Sequence, residues 1–272
     1  MLKSRIITAV ILVLLLLTVM FLLPEAWWIG TMLLMVMLGT REWIKLSKMS
    51  GRHAFFYAAA TFAAMVALIW FDSTHDDNER IIPHLYVYGA SAVLWLLVVP
   101  AWMKGGWRVE NRLLLALTGW AVLIPTGLAM LDLHDMSPTI LLFLMCLVWV
   151  ADIGAYFSGR SFGRHKLAPS ISPGKTWEGV AGAVLGVSLY VIVVLNYSPY
   201  SASQLPILLP VAWFWVALAV IGDLFESAIK RQAGVKDSGA LLPGHGGLLD
   251  RIDALTPTLP LAAMVMLFQQ LS

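Results

Sequence analysis

Long apolar segments alternate with short polar ones along the whole chain, and this alternation predicts a bundle of membrane-spanning helices. Most segments have about the 20 residues that a helix needs to cross a bilayer. The second is short, and we expect it either to extend through Arg41 and Glu42 or to dip into the membrane without crossing. The nine segments lie at roughly 6–23, 27–40, 54–71, 84–100, 113–131, 139–157, 177–195, 210–228 and 254–271.

Basic residues fall almost entirely on one side of this pattern. If the N-terminus is cytoplasmic, 17 of the 18 Lys and Arg residues lie on the inner side, and only Arg80 lies outside. Cytoplasmic loops of membrane proteins carry such an excess. The outer loops are predicted to hold acids, among them Asp72 and Asp132. The predicted fold class is therefore all-α, a polytopic integral membrane protein of about nine transmembrane helices with the N-terminus inside and the C-terminus outside.

The composition agrees with this fold, because 60% of the residues are hydrophobic and only 12% are charged, against about a quarter in soluble domains. Lys3 and Arg5 precede the first apolar segment as in a signal peptide. That segment is long and no small-x-small cleavage site follows it, so we expect an uncleaved first span. With Cys146 as the one cysteine, no intramolecular disulfide can form, and no His/Cys cluster suggests zinc.

One stretch, residues 221–253, gathers four of the 18 basic residues and five of the 16 acids between apolar segments. Asp223 shares a helix face with Glu226 and Ser227, which follow it by three and four residues. Asp250 and Asp253 open the last apolar segment. Carboxylates bind hard cations such as magnesium, Lys and Arg neutralise phosphate, and glycine-rich backbone lets N–H groups approach an anion. The stretch therefore predicts a phosphate-and-metal site.

Each feature of this stretch also has a simpler interpretation. Asp250 and Asp253 could be first-turn acids that answer a helix dipole, and Lys230 and Arg231 could be cytoplasmic anchors. The glycines after His245 could form a plain turn. Orientation in a membrane, however, requires neither carboxylates nor a pair of glycines, so the combination favours a site.

A second polar stretch precedes the seventh apolar segment. Asp152 lies within an apolar run, where a charge is costly and usually functional. Ser172, Lys175, Thr176 and Glu178 are predicted to cluster at the inner end of the seventh helix, although Ser172-Pro173 with Glu178 could merely cap that helix. A small-xxx-small pair, Gly182 and Gly186, favours helix packing rather than substrate contact.

Both stretches resemble the phosphatidate cytidylyltransferase (CDP-diacylglycerol synthase) family. The second carries the family's S-P-x-K-T-x-E-G element intact, from Ser172 to Gly179. The first covers about a tenth of the chain and departs from the family signature nowhere. Its matching residues are Ser227, Lys230, Arg231, Lys236, Asp237, Gly239, Leu242, Pro243, His245, Gly246, Gly247, Leu248, Asp250, Arg251, Ile252 and Asp253.

The resemblance implies transfer of CMP from CTP to phosphatidate, giving CDP-diacylglycerol and pyrophosphate. It implies Mg²⁺, or Mn²⁺ in its place, held by Asp223, Asp250 and Asp253, and it is compatible with a second, monovalent cation such as K⁺. The expected catalytic residues are those three acids with Lys230, Arg231, Lys236, Asp237 and Arg251. The expected substrate-binding residues are Asp152, Ser172, Lys175, Thr176, Glu178, Ser227, His245, Gly246 and Gly247.

The expected setting is the inner (cytoplasmic) membrane, with membrane lipids as surroundings, the site on the cytoplasmic face, no nucleic acid, and a homodimer as one assembly. We treat residues 1–272 as a single membrane domain. Residues 139–272 are expected to hold the catalytic helices, whereas the sequence gives no role for residues 1–138.

Two other classes of protein remain as alternatives. Another CTP-using lipid enzyme, such as a polyprenol or phytol kinase, would share the multispan character but not the complete signature. A CDP-alcohol phosphotransferase needs a DGxxAR…GxxxDxxxD pattern that the chain lacks. An ion-coupled transporter would place its charges near the midplane on broken helices, whereas these charges are predicted at inner helix ends.

Overall fold

A computed structural model of the protein describes residues 2–106, 108–197, 202–241 and 246–271. Within these ranges the fold is almost entirely helical, with one β-hairpin. A π-helical turn, Leu94–Val98, joins α4 to α5. The elements are α1 (Leu2–Phe21), α2 (Glu25–Leu46), α3 (Gly51–Thr74), α4 (Asp77–Val93), α5 (Val99–Gly105), α6 (Arg112–Met136), α7 (Pro138–Phe162), β1 (Lys166–Ala168), β2 (Ser172–Thr176), α8 (Trp177–Asn196), α9 (Leu205–Ala233), α10 (Leu249–Ile252) and α11 (Leu255–Leu271).

Each predicted apolar segment coincides with one long helical segment, when α4, the π-helical turn and α5 are taken together. Among the described residues, six of these segments are long and apolar enough to cross a membrane. Two more, Ile7–Phe21 of α1 and Leu255–Leu271, are apolar but shorter. The chain is therefore a multi-pass membrane protein, while the count of nine spans and the orientation stay predictions.

Helix α2 shows that the short second segment extends beyond its apolar part. It continues through Arg41 and Glu42 and ends at Leu46. Glu42 is buried there together with Trp43. The charged end of this helix thus lies against the rest of the protein instead of forming a loop.

The hairpin is a feature that the all-α prediction did not contain. Strands β1 and β2 pair antiparallel, with Lys166 opposite Thr176 and Ala168 opposite Ser172. The alternative that Ser172-Pro173 caps helix α8 is wrong, because both residues lie in β2. The cap is Thr176, whose Oγ1 accepts a hydrogen bond from the Gly179 N–H at 3.1 Å.

Glycines bring α7 and α8 into close contact, as the small-xxx-small pattern predicted. A Cβ on Gly182 would lie 2.1 Å from the Ser158 Oγ and 2.6 Å from the Gly154 carbonyl oxygen. Neither distance is sterically allowed, so only glycine permits this approach. At Gly186 a Cβ would meet Val150 at an ordinary 3.5 Å. The packing function therefore belongs mainly to Gly182.

Helix α11 lies in the middle of the bundle. Its first half, from Leu255 to Ala263, is buried throughout, and it packs against α4, α6 and α9. The residues that immediately precede it are therefore held at the interior. Asp250 and Asp253 are among them, so the loop before α11 is positioned by the most buried helix of the fold.

A histidine clamped between two carboxylates ties α3, α4 and α6 together. His84 Nδ1 lies 2.8 Å from Asp132 Oδ2 and its Nε2 lies 2.9 Å from Asp72 Oδ1. The Tyr88 hydroxyl also donates to Asp132 Oδ2, at 2.7 Å. The sequence placed both acids in outer loops, but they lie inside α3 and α6.

We expect His84→Ala to lower the free energy of unfolding by about 3 kcal/mol, because it leaves two buried carboxylates without their shared partner. Thermal unfolding in detergent measures this loss. His53→Ala is the matched control, since His53 is exposed on α3. Equal melting temperatures for the two variants would contradict the structural role of the cluster.

Candidate functional site

Three elements from the second half of the chain bring four of the predicted site residues together. Helix α7 supplies Asp152, β2 supplies Lys175 and Thr176, and α9 supplies Asp223. These four residues line one cavity of about 460 Å³. The other walls are largely apolar and come from α7, α8 and α9; they include Ala151, Ala155, Val180, Ala183, Val216, Ala219 and Val220. The cavity therefore offers a charged end and an apolar body.

A lysine from the hairpin neutralises the acid on α9. The Lys175 Nζ lies 2.5 Å from Asp223 Oδ2, and the Ser227 hydroxyl donates to the other oxygen at 3.4 Å. Asp152 interacts electrostatically with Asp223, Lys175 and Arg251. Two polar stretches separated by about 50 residues in the sequence are thus joined at one ion pair.

Lys230 lies between two carboxylates rather than facing open space. Its Nζ is 2.5 Å from Asp250 Oδ1 and 3.3 Å from Glu226 Oε1. Only 11% of the side chain is exposed. The lysine predicted to neutralise phosphate is therefore already paired with acids of α9 and α10.

Asp250 organises the glycine-rich loop that precedes it. Its Oδ2 accepts hydrogen bonds from the Gly247 N–H at 2.8 Å and from both the N–H and the hydroxyl of Ser238 at 2.9 Å. Burial alone would raise the pKa of this carboxyl, but Lys230 and the N–H donors lower it below its ordinary value. Gly246 has a φ of +83°, and a Cβ there would lie 2.7 Å from Asp250 Oδ2. The loop thus depends on glycine at this position.

Asp253 and Glu226 complete a buried group of acids. Asp253 packs tightly on α9, since a Cβ on Gly222 would lie 2.4 Å from its carbonyl oxygen. Burial raises the pKa of the Asp253 carboxyl to about 7, and the charge of Asp223 acts in the same direction. Both carboxylate oxygens of Glu226 are buried without a hydrogen-bond partner. The sequence placed Glu226 on the face of Asp223 but gave it no function.

Several predicted residues lie at the edge of this group or outside it. Glu178 accepts from the His165 N–H at 3.2 Å and so holds the start of the hairpin. The Arg231 Nε lies 3.5 Å from the Ile171 carbonyl oxygen. Arg231, Lys236, Asp237 and Arg251 are exposed, whereas Ser172 is half-buried in β2. His245, with Leu242, Pro243 and Gly244, lies outside the described residues.

The three acids predicted to bind metal do not converge on one point as a set. Within the described part of the chain, the trio whose donor atoms all lie within 4.8 Å of one another is Asp72, His84 and Asp132. Both nitrogens of His84 face a carboxylate there, which a charged imidazolium explains without a metal. At the predicted site, Asp250 is committed to its loop and to Lys230, leaving Asp223 and Asp253 as the acids with fewer donors.

A residue that the sequence did not indicate also reaches this site from the N-terminal half. The carboxylate of Glu42, on α2, accepts hydrogen bonds from the N–H groups of Leu248 and Leu249, each at 2.9 Å. The only feature of the sequence that could have indicated a role for Glu42 is that an acid follows directly after an apolar segment. Its partners are about 200 residues away, and local pattern does not identify such pairs.

Fold and site together define a multi-pass helical membrane protein with a cluster of acids and lysines beside an apolar cavity. The chain belongs to the cytidylyltransferase family, whose profile matches residues 3–269. It is similar to the phosphatidate cytidylyltransferase of Pseudomonas aeruginosa, with 39% identity over 98% of this chain and 97% of the relative. The protein of the same name from Haemophilus influenzae is 36% identical over 96% of each chain.

We expect Lys230→Gln to lower the free energy of unfolding by about 3 kcal/mol, because removing the ammonium leaves Glu226 and Asp250 buried without it. Lys236→Gln should have little effect, since Lys236 is exposed in the following segment. Thermal unfolding of both variants in the same detergent checks the difference. A Lys230→Gln protein as stable as the wild type would show that the buried acids are compensated in another way.

Proposed function

We propose that the protein is a phosphatidate cytidylyltransferase, which converts CTP and phosphatidate into CDP-diacylglycerol and pyrophosphate. The observation that carries this proposal is similarity over nearly the full length of relatives with that name. The intact signature supports it, and two of its charged residues, Lys230 and Asp250, form an ion pair in the structure. The apolar body of the adjoining cavity suits the acyl chains of a lipid.

The proposed reaction does not require a general base from the protein. An oxygen of the phosphatidate phosphate forms a bond to the α-phosphorus of CTP, and the bond to the departing pyrophosphate breaks. A phosphomonoester has a second pKa of about 6, so the attacking oxygen is already ionised near neutral pH. The protein must instead bring two anions together and stabilise the leaving charge. His245 is accordingly proposed to contact the nucleotide rather than to act as a base.

The residues around the cavity suggest how the two substrates are divided. Lys175 lies where the charged end of the cavity meets its apolar walls, which suits a lipid phosphate. Gly246 and Gly247 are proposed to line the nucleotide phosphates, because backbone without side chains lets an anion approach closely. Lys230, Arg231, Lys236 and Arg251 are proposed to supply positive charge to these phosphates.

Magnesium, with manganese as a substitute, is proposed as the cofactor, bound by Asp223, Asp250 and Asp253. Carboxylate oxygens are suitable ligands for this ion, and several acids lie close together beside Lys175 and Lys230. Incomplete convergence of the acids is compatible with this metal, which is usually held by one or two carboxylates plus substrate phosphates. The ion would neutralise phosphate charge. A monovalent cation such as K⁺, and a homodimer, also remain proposals.

The proposed setting is the inner membrane, crossed nine times with the N-terminus inside and the site on the cytoplasmic face. The distribution of basic residues supports this orientation. A site at that face would receive CTP directly from the cytosol.

Purified protein should convert labelled CTP and phosphatidate into CDP-diacylglycerol, and excess chelator should abolish the conversion. Asp253→Asn should reduce turnover by about a hundredfold or more, because it removes charge at the proposed metal site. Asp76→Asn, an exposed change before α4, should leave the rate unchanged. Full activity in excess chelator would rule out the metal, and no product from the wild type would rule out the activity.

Reporter fusions test the topology separately. Fusions after Gly51, Gly105 and Arg164 should report a cytoplasmic location, since the loops around them carry most of the basic residues. Fusions near Asp76 and Ser201 should report the opposite side. A cytoplasmic signal near Ser201 would contradict the nine-span arrangement.

A further inference from the structure

Glu42 is a buried acid whose contacts lie in the glycine-rich loop of the site. It belongs to α2, in the part of the chain for which the sequence gave no role. Only 4% of the residue is exposed. A carboxylate buried to this degree is costly unless donors surround it, so the identity of its donors indicates what it does.

All three of its recorded donors come from one segment. Glu42 Oε1 accepts from the Leu248 N–H, and Oε2 accepts from the Leu249 N–H and from the Ser238 hydroxyl, each at 2.9 Å. The Leu248 and Leu249 donors are backbone groups where the loop meets α10. The carboxylate therefore contacts the chain both at Ser238 and at Leu248 and Leu249.

The loop is also shaped around this carboxylate. A Cβ on Gly239 would lie 2.6 Å from Glu42 Oε1, and a Cβ on Gly247 would lie 2.4 Å from Oε2. A side chain at either position would require the Glu42 carboxylate to move. The two glycines thus let the backbone close on Glu42 from either side.

Ser238 links Glu42 to the acid that organises the site. Its hydroxyl oxygen lies 2.9 Å from Glu42 Oε2 and 2.9 Å from Asp250 Oδ2. A hydroxyl has a single proton to donate, so the two carboxylates compete for it. The Ser238 N–H donates to Asp250 as well. Any displacement of the loop at Glu42 would therefore reach Asp250 and, through it, Lys230.

We propose that Glu42 is a positioning residue for the cytidylyl transfer, fixing Ser238 and the backbone of Leu248 and Leu249 so that Asp250, and through it Lys230, is correctly placed for the nucleotide phosphates. This inference rests on the proposed function. The lipid cavity is lined by α7, α8, α9 and the hairpin, none of which contacts Glu42 through these bonds. Loss of Glu42 should therefore affect CTP more than phosphatidate.

The test compares Glu42→Gln with Glu25→Gln, an exposed change on the same helix. In the Gln variant one carboxylate oxygen is replaced by an NH₂ group, which is itself a donor. At least one of the groups that donate hydrogen bonds to Glu42 therefore loses its acceptor. We expect kcat/KM for CTP to fall by about a hundredfold, as for a displacement of catalytic groups by about 1 Å. The KM for phosphatidate should stay within about twofold. Glu25→Gln should match the wild type.

Ser238→Ala provides a second variant for a double-mutant cycle. Because Glu42 and Ser238 share a hydrogen bond, the double variant should lose clearly less activity than the product of the two single losses. Additive losses would overturn the proposal, as would wild-type kinetics in Glu42→Gln. Equal losses for CTP and phosphatidate together with a general fall in melting temperature would assign Glu42 a purely structural role.

Hydrogen exchange separates this proposal from the proposed function. In Glu42→Gln the amides of Leu248 and Leu249 should exchange faster, while those of α7 and α8 keep their wild-type rates. Unchanged exchange at these two amides would overturn the positioning role even in an active enzyme. Wild-type protein without cytidylyltransferase activity would instead refute the proposed function, and the exchange result would still report on the loop.

Discussion

Burial of negative charge is the constraint on which the rest of this structure depends. Glu226, Asp250 and Asp253 lie in the interior of a helical bundle, where an uncompensated carboxylate is costly, and the partly exposed Asp223 lies beside them. Compensation comes from different parts of the fold. Lys175, on the hairpin, pairs with Asp223. Lys230 lies one helical turn after Glu226 on the same helix and pairs with it. The packing of α7, α8 and α9 thus also brings the lysine of the hairpin between α7 and α8 to the acid on α9.

The sequence predicted those parts of the fold that depend on local pattern. Each apolar segment became a helix because a backbone in lipid satisfies its own hydrogen bonds in that conformation. Gly182 gave the close contact of α7 with α8. The hairpin was not predicted, because strands of three and five residues are too short to show a clear alternation of polar and apolar residues. Much of the candidate site could be predicted because Asp223, Lys230 and Asp250 lie within one short stretch.

Interactions between distant residues could not be predicted in this way. His84 meets Asp132 across 48 positions, and Glu42 meets Leu249 across 207. A single sequence records that such residues are charged within apolar surroundings, but it does not record which partner neutralises each of them. The candidate site is consequently not confined to residues 139–272, because residues from 1–138 also contact it. Helix α2 belongs to the first part, yet its carboxylate bonds directly to the loop of the second.

Lys175 and Lys230 are held by carboxylates that the phosphates of the proposed substrates would have to displace. Lys175 is paired with Asp223 and Lys230 with Asp250, so neither ammonium is uncompensated before a substrate binds. A phosphate that approaches Lys175 must be a better partner than Asp223, and this competition favours a doubly charged lipid phosphate over the singly charged phosphodiester of an ordinary phospholipid. On the proposed assignment of Lys175 to the lipid phosphate, this pairing would give the site a basis for selecting phosphomonoesters in a membrane composed mainly of phosphodiesters.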